Sequence, residues 1–410
     1  MKQTDLKKDL IWNTAGSLLY ALSSVVLSFA AMRILGSEEG GIFAFGFSTF
    51  GQQMFIIAYF GIRPFHITDV KSEYSFADYR RARVFTSGLA VLGSVLYLGI
   101  LSALGRYTLM KAACILLLAL YKICDGFADV YECECQRRGV LWRGGRELSI
   151  RTALSMFIFL FVLVLSRDLL ISVLSSVGMQ VLCIVVFAGR LSGDNLWIRT
   201  EKAGKAGLLL RSTALLFVSV FLDFFVFSSA KYAIDLKLTD ADSGVFNLLF
   251  MPTNVIYLVA NFIIKPFMTR MAEAYENGRE TEFRKTERTI TWIIAGLTVF
   301  AVLCAILLGK PVLTLFERIL GDGYKGALSA RVPEFSLIIF GGGLYALANL
   351  YYYILVIRRR QKRIFLVYLL ASVIAALVSF PVTASWGLTG AAVSYTALMS
   401  LLVFGFGVLK

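Results

Sequence analysis

The sequence is short of what a soluble enzyme uses. There is one histidine, His66, in 410 residues, and a single imidazole cannot build a metal site alone. Charged residues make up only 17% of the chain, against about 25% in soluble domains. The six cysteines (Cys114, Cys124, Cys133, Cys135, Cys183 and Cys304) show neither a CxxC pair nor zinc spacing. Cys133 and Cys135 form a C-x-C at the end of a predicted helix and are read as small helix residues rather than a metal or redox pair. No GxxxxGK[ST] nucleotide-binding loop occurs, so no cofactor is expected. Connecting segments are short as well: the longest, near 63–83, 265–288 and 310–332, have no room for a folded domain. A membrane glycosyltransferase or ligase needs a sizeable loop with carboxylates or histidines placed for acid–base work. Only 310–332, with Glu317 and Asp322, offers anything of that kind, and that class is set aside.

What the chain has is apolar length. Hydrophobic residues are 58% of it and the mean hydropathy is +0.74, more apolar surface than a water-soluble core of this size could hide. Twelve runs reach or approach the roughly 20 residues that a helix needs to cross hydrocarbon. They lie near 10–35, 41–62, 84–104, 108–130, 148–166, 169–189, 207–230, 244–264, 289–309, 333–356, 364–382 and 387–409. The first is too long for the apolar region of a cleaved signal and lacks a small-residue cleavage site, so it reads as an uncleaved first span. The net charge of +14 would suggest nucleic acid in a soluble protein, but here the basic residues cluster between apolar runs and no nucleic-acid motif accompanies them. Of 41 lysines and arginines, twenty-nine fall on the side of the N-terminus and ten on the other; Lys122 and Arg151 lie inside spans. An even number of spans puts both termini on one side, and this bias places them in the cytoplasm.

The chain repeats itself. Gly41-Ile-Phe43 opens the second span and Arg63-Pro64-Phe65 closes it; Gly244-Val-Phe246 and Lys265-Pro266-Phe267 do the same for the eighth. Tyr121 to Arg138 and Tyr345 to Arg360 each carry a polar helix into a basic cluster. The expected architecture is an all-α integral membrane protein of twelve transmembrane helices, in two six-helix halves, 1–206 and 207–410. With six spans each, the halves share one orientation, related by a pseudo-two-fold axis along the membrane normal, with a central cavity. Transporters built this way bind substrate between their halves and rock to alternate access.

Polar residues inside spans are costly and normally face protein or water, and here they recur at helical spacing. Asn247, Asn254, Asn261 and Lys265 share one face of the eighth span. Ser48, Gln52, Tyr59 and Arg63 line the second in the same way; the first offers Asn13, Ser17, Tyr20 and Ser24, and the seventh Ser212, Ser219 and Asp223. In the fourth span Lys122, Asp125 and Asp129 stand three and four apart, close enough to pair along the helix. Tyr345, Asn349 and Tyr352 in the tenth suit sugar rings. Asparagines in spans often only join helices, but four helices with polar faces fit one hydrated cavity. Asp223, unpaired in sequence and deep in its span, is the foremost proton or cation site, with Asp125 and Asp129 as further ion-coupling candidates. Arg33 and Lys231 stand at the outer ends of the first and seventh spans, against the charge bias, and are taken as substrate contacts.

The segment Trp12-Asn13-Thr14-Ala15-Gly16-Ser17, then Arg33-Ile-Leu-Gly36, Glu38-Glu39-Gly40-Gly41-Ile42-Phe43, Gly61-Ile-Arg63, Asp69 and Tyr79-x-x-x-Arg83, resembles the bacterial polysaccharide flippases of the multidrug/oligosaccharidyl-lipid/polysaccharide exporter superfamily. The likeness covers roughly the first ninety residues; the rest matches in helix count and repeat. It implies a flippase that moves undecaprenyl-pyrophosphate-linked repeat units of capsule, O-antigen or teichoic acid from the inner to the outer leaflet of the bacterial cytoplasmic membrane. An envelope polysaccharide polymerase or glycosyltransferases would then be partners, beside membrane lipids; nucleic acid would not. Spans one, two, seven and eight line the cavity in that family, which here puts Asn13, Gln52, Arg63, Asp223, Asn254 and Lys265 on it. Tyr59, Asn261, Tyr345 and Asn349 extend the substrate surface. Arginine and lysine suit a pyrophosphate, and a cytosol-negative potential drives that anion outward. The alternative within the superfamily is an ion-coupled organic-cation or drug antiporter, for which Asp125, Asp129 and Asp223 would serve.

Overall fold

In the computed structural model the described residues are 3–69, 73–192 and 204–410. Nothing among them is a strand. Twelve long helices follow one another: α1 (Gln3–Leu35), α2 (Ser37–Tyr59), α3 (Phe76–Ala103), α4 (Leu109–Arg137), α5 (Leu141–Ser166), α6 (Leu169–Ser192), α7 (Ala206–Lys237), α8 (Asp240–Glu276), α9 (Glu280–Leu320), α10 (Val332–Ile357), α11 (361–386) and α12 (388–409). The last two run on without a loop. Gly387 alone turns the chain, at φ 60° and ψ −139°, a conformation an L side chain rarely adopts. The protein is thus an all-α multi-pass membrane protein, and each of the twelve expected spans falls on one of these helices.

Among the described residues nine helical stretches are long and apolar enough to cross a membrane by composition. One of the nine holds both α11 and α12. α4 fails the test because it carries too much charge. For α4 the packing supplies the reason: it touches α2, α3, α5 and α6, so its charged side chains meet protein rather than lipid. Leu96, Phe157 and Leu165, on α3 and α5, are by contrast more than half exposed, as lipid-facing side chains are.

The chain divides into two compact units, Met1–Phe221 and Leu222–Lys410, with the division inside α7. In the first unit α4 is central. In the second α10 is, packed against α8, α9 and the α11–α12 pair. Three successive glycines of α10 make that possible. Successive residues point about 100° apart around a helix, so each glycine meets a different neighbour. A Cβ on Gly341 would strike Tyr395 of α12, one on Gly342 would stand 3.0 Å from Thr253 of α8, and one on Gly343 would overlap Thr298 of α9. Gly343→Val is expected to cost about 1–3 kcal/mol through overpacking, read as a lower melting temperature of the detergent-solubilised protein. Gly93→Ala, where a Cβ meets open space, is expected to leave that temperature unchanged or raise it.

Two local features mark the helix ends. The capping box at the start of α3 is present, with Ser75 and Asp78 satisfying each other's amides. The stretch from Phe267 to Arg288 is helical on both sides of a turn, as the end of α8 and the start of α9. They are joined by a turn at Asn277–Arg279 in which Gly278 takes φ 67°.

Candidate functional site

The first unit holds a closed network of buried charge. Asp125, Asp129 and Glu132 stand on one side of α4, and arginines from other segments meet them. Asp129 lies between Arg63 and Arg83, hydrogen-bonded to both. Arg63 also reaches Glu132 at 3.8 Å and Gln136 at 3.2 Å. Arg151 of α5 is 1% exposed; it binds Asp125, donates to Gln180 of α6 at 2.7 Å, and pairs with Glu147 at 2.8 Å and Glu132 at 3.1 Å. Three arginines therefore face four carboxylates, and Lys122, nearby on α4, brings the charges level. The expected Lys122–Asp125 pair is not made. A lysine presents one point charge, whereas the arginine fork satisfies several oxygens at once, and Arg151 takes the aspartate. Lys122 instead reaches the Tyr20 hydroxyl at 3.2 Å and lies 4.0 Å over the Phe47 ring.

Arg83 has a second task. Phe60 and Gly61 take left-handed backbone angles that end α2, and Arg83 donates to the freed carbonyls of Ala58, at 3.1 Å, and Tyr59. A cation there also suits the negative end of the helix dipole. The Tyr59 ring lies under the same guanidinium at 4.9 Å. Just beyond, His66 stacks on Tyr79 at 3.9 Å and bonds Glu134 at 2.9 Å. Burial pushes His66 below its ordinary pKa, with the Glu134 contact opposing. Asp69 accepts from the amides of Glu73 and Tyr74 and from the Tyr79 hydroxyl. Burial works against its charge, but these donors hold its carboxyl below the usual range. The residues that carry the family resemblance here, Arg63, Asp69, Tyr79 and Arg83, thus fasten the end of α2 to α3 and α4. Gly16 likewise sits against α5, where a Cβ would stand 2.8 Å from the Gly145 carbonyl.

The second unit is different. Asp223 of α7 is partly exposed as a residue. Its Oδ2 accepts from the Tyr345 hydroxyl of α10 at 2.9 Å, and Tyr368 of α11 faces the same carboxylate. Its Oδ1 is enclosed without a hydrogen-bond partner, and no cation pairs with it among the described residues. Farther along α7, Lys231 bonds Asn247 at 3.3 Å and lies 4.1 Å over Phe250. Phe246 and Phe250 recur at the same offset from Phe43 and Phe47 as Gly244 from Gly41. Each half therefore carries an aromatic pair with a lysine on its second ring. The sequence repeat named Phe43 and Phe246 but not Phe47 and Phe250, because the lysines come from non-equivalent helices.

Asn13 and Arg33 are exposed on α1, at opposite ends; Gln52 of α2 and Asn349 of α10 are partly exposed. The side chains of Asn254, Asn261 and Lys265 lie outside the described residues. Tyr345, expected on a sugar, is committed to Asp223. Arg83, Glu132, Glu147 and Gln180 were missed as network members; the available signal was Arg151, a guanidinium inside a span that requires carboxylate partners.

No family model matches the chain, and no curated protein matches it in sequence. Solved structures match it in fold. A multidrug resistance MATE family transporter of the MOP superfamily, in an inward-facing conformation, aligns with TM-score 0.67 at 10% identity, over 94% of this chain and 93% of its own. The MATE multidrug transporter DinF-BH, in complex with a ligand, aligns with TM-score 0.66 at 14% identity, over 99% and 95%. The Vibrio cholerae MATE transporter VcmN, as a point mutant, aligns with TM-score 0.61 at 12% identity, over 99% and 96%. Over nearly its whole length the chain is similar in fold to the MATE transporters of the MOP superfamily.

Proposed function

We propose that the protein is an ion-coupled antiporter that exports an organic cation or drug-like molecule by alternating access, with Asp223 exchanging the driving ion. The observation that carries this is a contrast between carboxylates. Asp125, Asp129, Glu132 and Glu147 are all engaged by arginines, which never give up their charge. Asp223 is held by neutral tyrosine hydroxyls, so a proton or a small cation can come and go without breaking an ion pair. Carboxylates inside spans mark ion pathways, and the fold likeness to multidrug transporters supports the same reading. From the Lys/Arg bias we place both termini in the cytoplasm, and from the resemblance of the first ninety residues we place the chain in a bacterial cytoplasmic membrane.

A second reading, the flipping of lipid-linked oligosaccharide, draws on Lys231, a span lysine that meets Asn247 and Phe250 and no carboxylate among the described residues. Against it, Arg63, where a pyrophosphate would be expected to bind, is already engaged by Asp129, Glu132 and Gln136.

Proteoliposomes separate the two. With an imposed proton or sodium gradient, the wild type is expected to move ethidium, a fluorescent organic cation, against its concentration gradient. Movement of a labelled undecaprenyl-pyrophosphate oligosaccharide between leaflets, with ethidium left in place under either gradient, would transfer the assignment to the flippase.

A further inference from the structure

A groove of about 480 Å³ runs between α5 and α6, within the size range of ligand sites, about 300–1,000 Å³. Its two ends differ. Along its length Leu154 of α5 and Leu182 and Val186 of α6 are 42%, 54% and 45% exposed, so this wall is apolar and turned to the hydrocarbon. At the start of α5 Trp142, Arg143 and Arg146 line the mouth. The Arg143 and Arg146 guanidinium carbons stand 5.5 and 5.3 Å from the Trp142 ring, and the Lys8 ammonium stands 5.7 Å from it. Three cations thus surround one indole at the end of a span, the depth at which tryptophan meets lipid headgroups. The Trp142 amide donates to Asp9 at 2.7 Å, which holds the start of α1, and Lys8 with it, beside the mouth.

The floor contributes no free cation, because Arg151 is consumed by Asp125, Glu132, Glu147 and Gln180. Charge that can meet a ligand is therefore confined to the mouth, with apolar walls behind it. We infer that this groove binds one membrane phospholipid with an anionic headgroup, its phosphate at Lys8 and Arg146 and an acyl chain along Leu154, Leu182 and Val186. A free phosphate would use the mouth and leave the walls empty; a zwitterionic lipid would fill the walls and bring no net negative charge to Lys8 and Arg146. The inference does not depend on what the protein transports.

The test is lipid retention by the detergent-purified full chain, read by native mass spectrometry after titration with phosphatidylglycerol or phosphatidylcholine. The wild type is expected to retain one phosphatidylglycerol, in preference to phosphatidylcholine by on the order of tenfold, given the usual attraction of two surface cations. Lys8→Gln with Arg146→Gln is expected to abolish the preference but keep a chain in the groove. Leu154→Trp, which fills the groove, is expected to lose the bound lipid while its circular-dichroism melting curve stays that of the wild type. Millimolar inorganic phosphate is expected to displace nothing. Equal retention of both lipids by the wild type, a preference that survives the double substitution, or retention undiminished in a folded Leu154→Trp chain would each overturn the inference.

Discussion

Arg151→Leu is expected to prevent the protein from folding into a state that survives purification. The substitution keeps an apolar stem but removes the cation on which Asp125, Glu132 and Glu147 converge. Breaking a buried pair by deleting one partner typically costs about 3–5 kcal/mol, and here three carboxylates lose the same counter-ion. Whole-domain stabilities are about 5–15 kcal/mol, so the loss is comparable to the total. Two oxygens of the network, Asp125 Oδ2 and Glu147 Oε2, already lack a hydrogen-bond partner, so there is no spare donor to compensate. Restoring neutrality should restore folding. Arg151→Leu combined with Asp125→Leu, Glu147→Gln and Lys122→Met, which leaves Arg63 and Arg83 facing Asp129 and Glu132, is expected to recover a large share of the yield, because replacing a buried ion cluster with matched neutral groups is often close to neutral in energy. Monodispersity on size-exclusion chromatography and the melting temperature in detergent give the readout. A single Arg151→Leu chain as stable as wild type would mean that the network is solvated.

Asp223→Asn is expected to leave the protein folded and to abolish gradient-driven transport. The amide keeps the shape and can still accept from the Tyr345 hydroxyl, so stability should change little. The amide cannot take up or release a proton near neutral pH, and it is a poor ligand for a small cation. Accumulation of ethidium against its gradient should fall to the level of empty vesicles, while ethidium binding to the protein in detergent persists. Tyr345→Phe should give a milder form, with transport retained and its pH profile displaced, because one hydroxyl has been withdrawn from the carboxylate. If Asp223→Asn pumped ethidium normally, the coupling group would lie elsewhere in the chain.

The spans were legible because hydrocarbon imposes a length on apolar runs, and the repeat was legible because Gly41, Pro64, Gly244 and Pro266 punctuate span ends. The partners of buried charge were not. Helical spacing shows which residues of α4 share a face, and from that face Lys122 and Asp125 look like a pair. Arg63, Arg83 and Arg151 come from other segments, and single-sequence spacing is blind to contacts between helices. The same holds for Asp223 and Tyr345, read from sequence as an ion site and a sugar contact. Their shared hydrogen bond spans 122 residues. Function was the least legible part, because a cation on a span looks the same whether it awaits a pyrophosphate or, like Arg63, already holds Asp129.

The measurement to make is substrate-dependent ion flux in proteoliposomes carrying a pH-sensitive dye, with sodium replaced by choline in a parallel set. Adding ethidium to one side should drive an opposing flow of protons or sodium in wild-type vesicles, and that flow should vanish in Asp223→Asn vesicles. Ethidium movement with no opposing ion in any salt, or an ion flow that survives the loss of the Asp223 carboxylate, would contradict coupled exchange at this site.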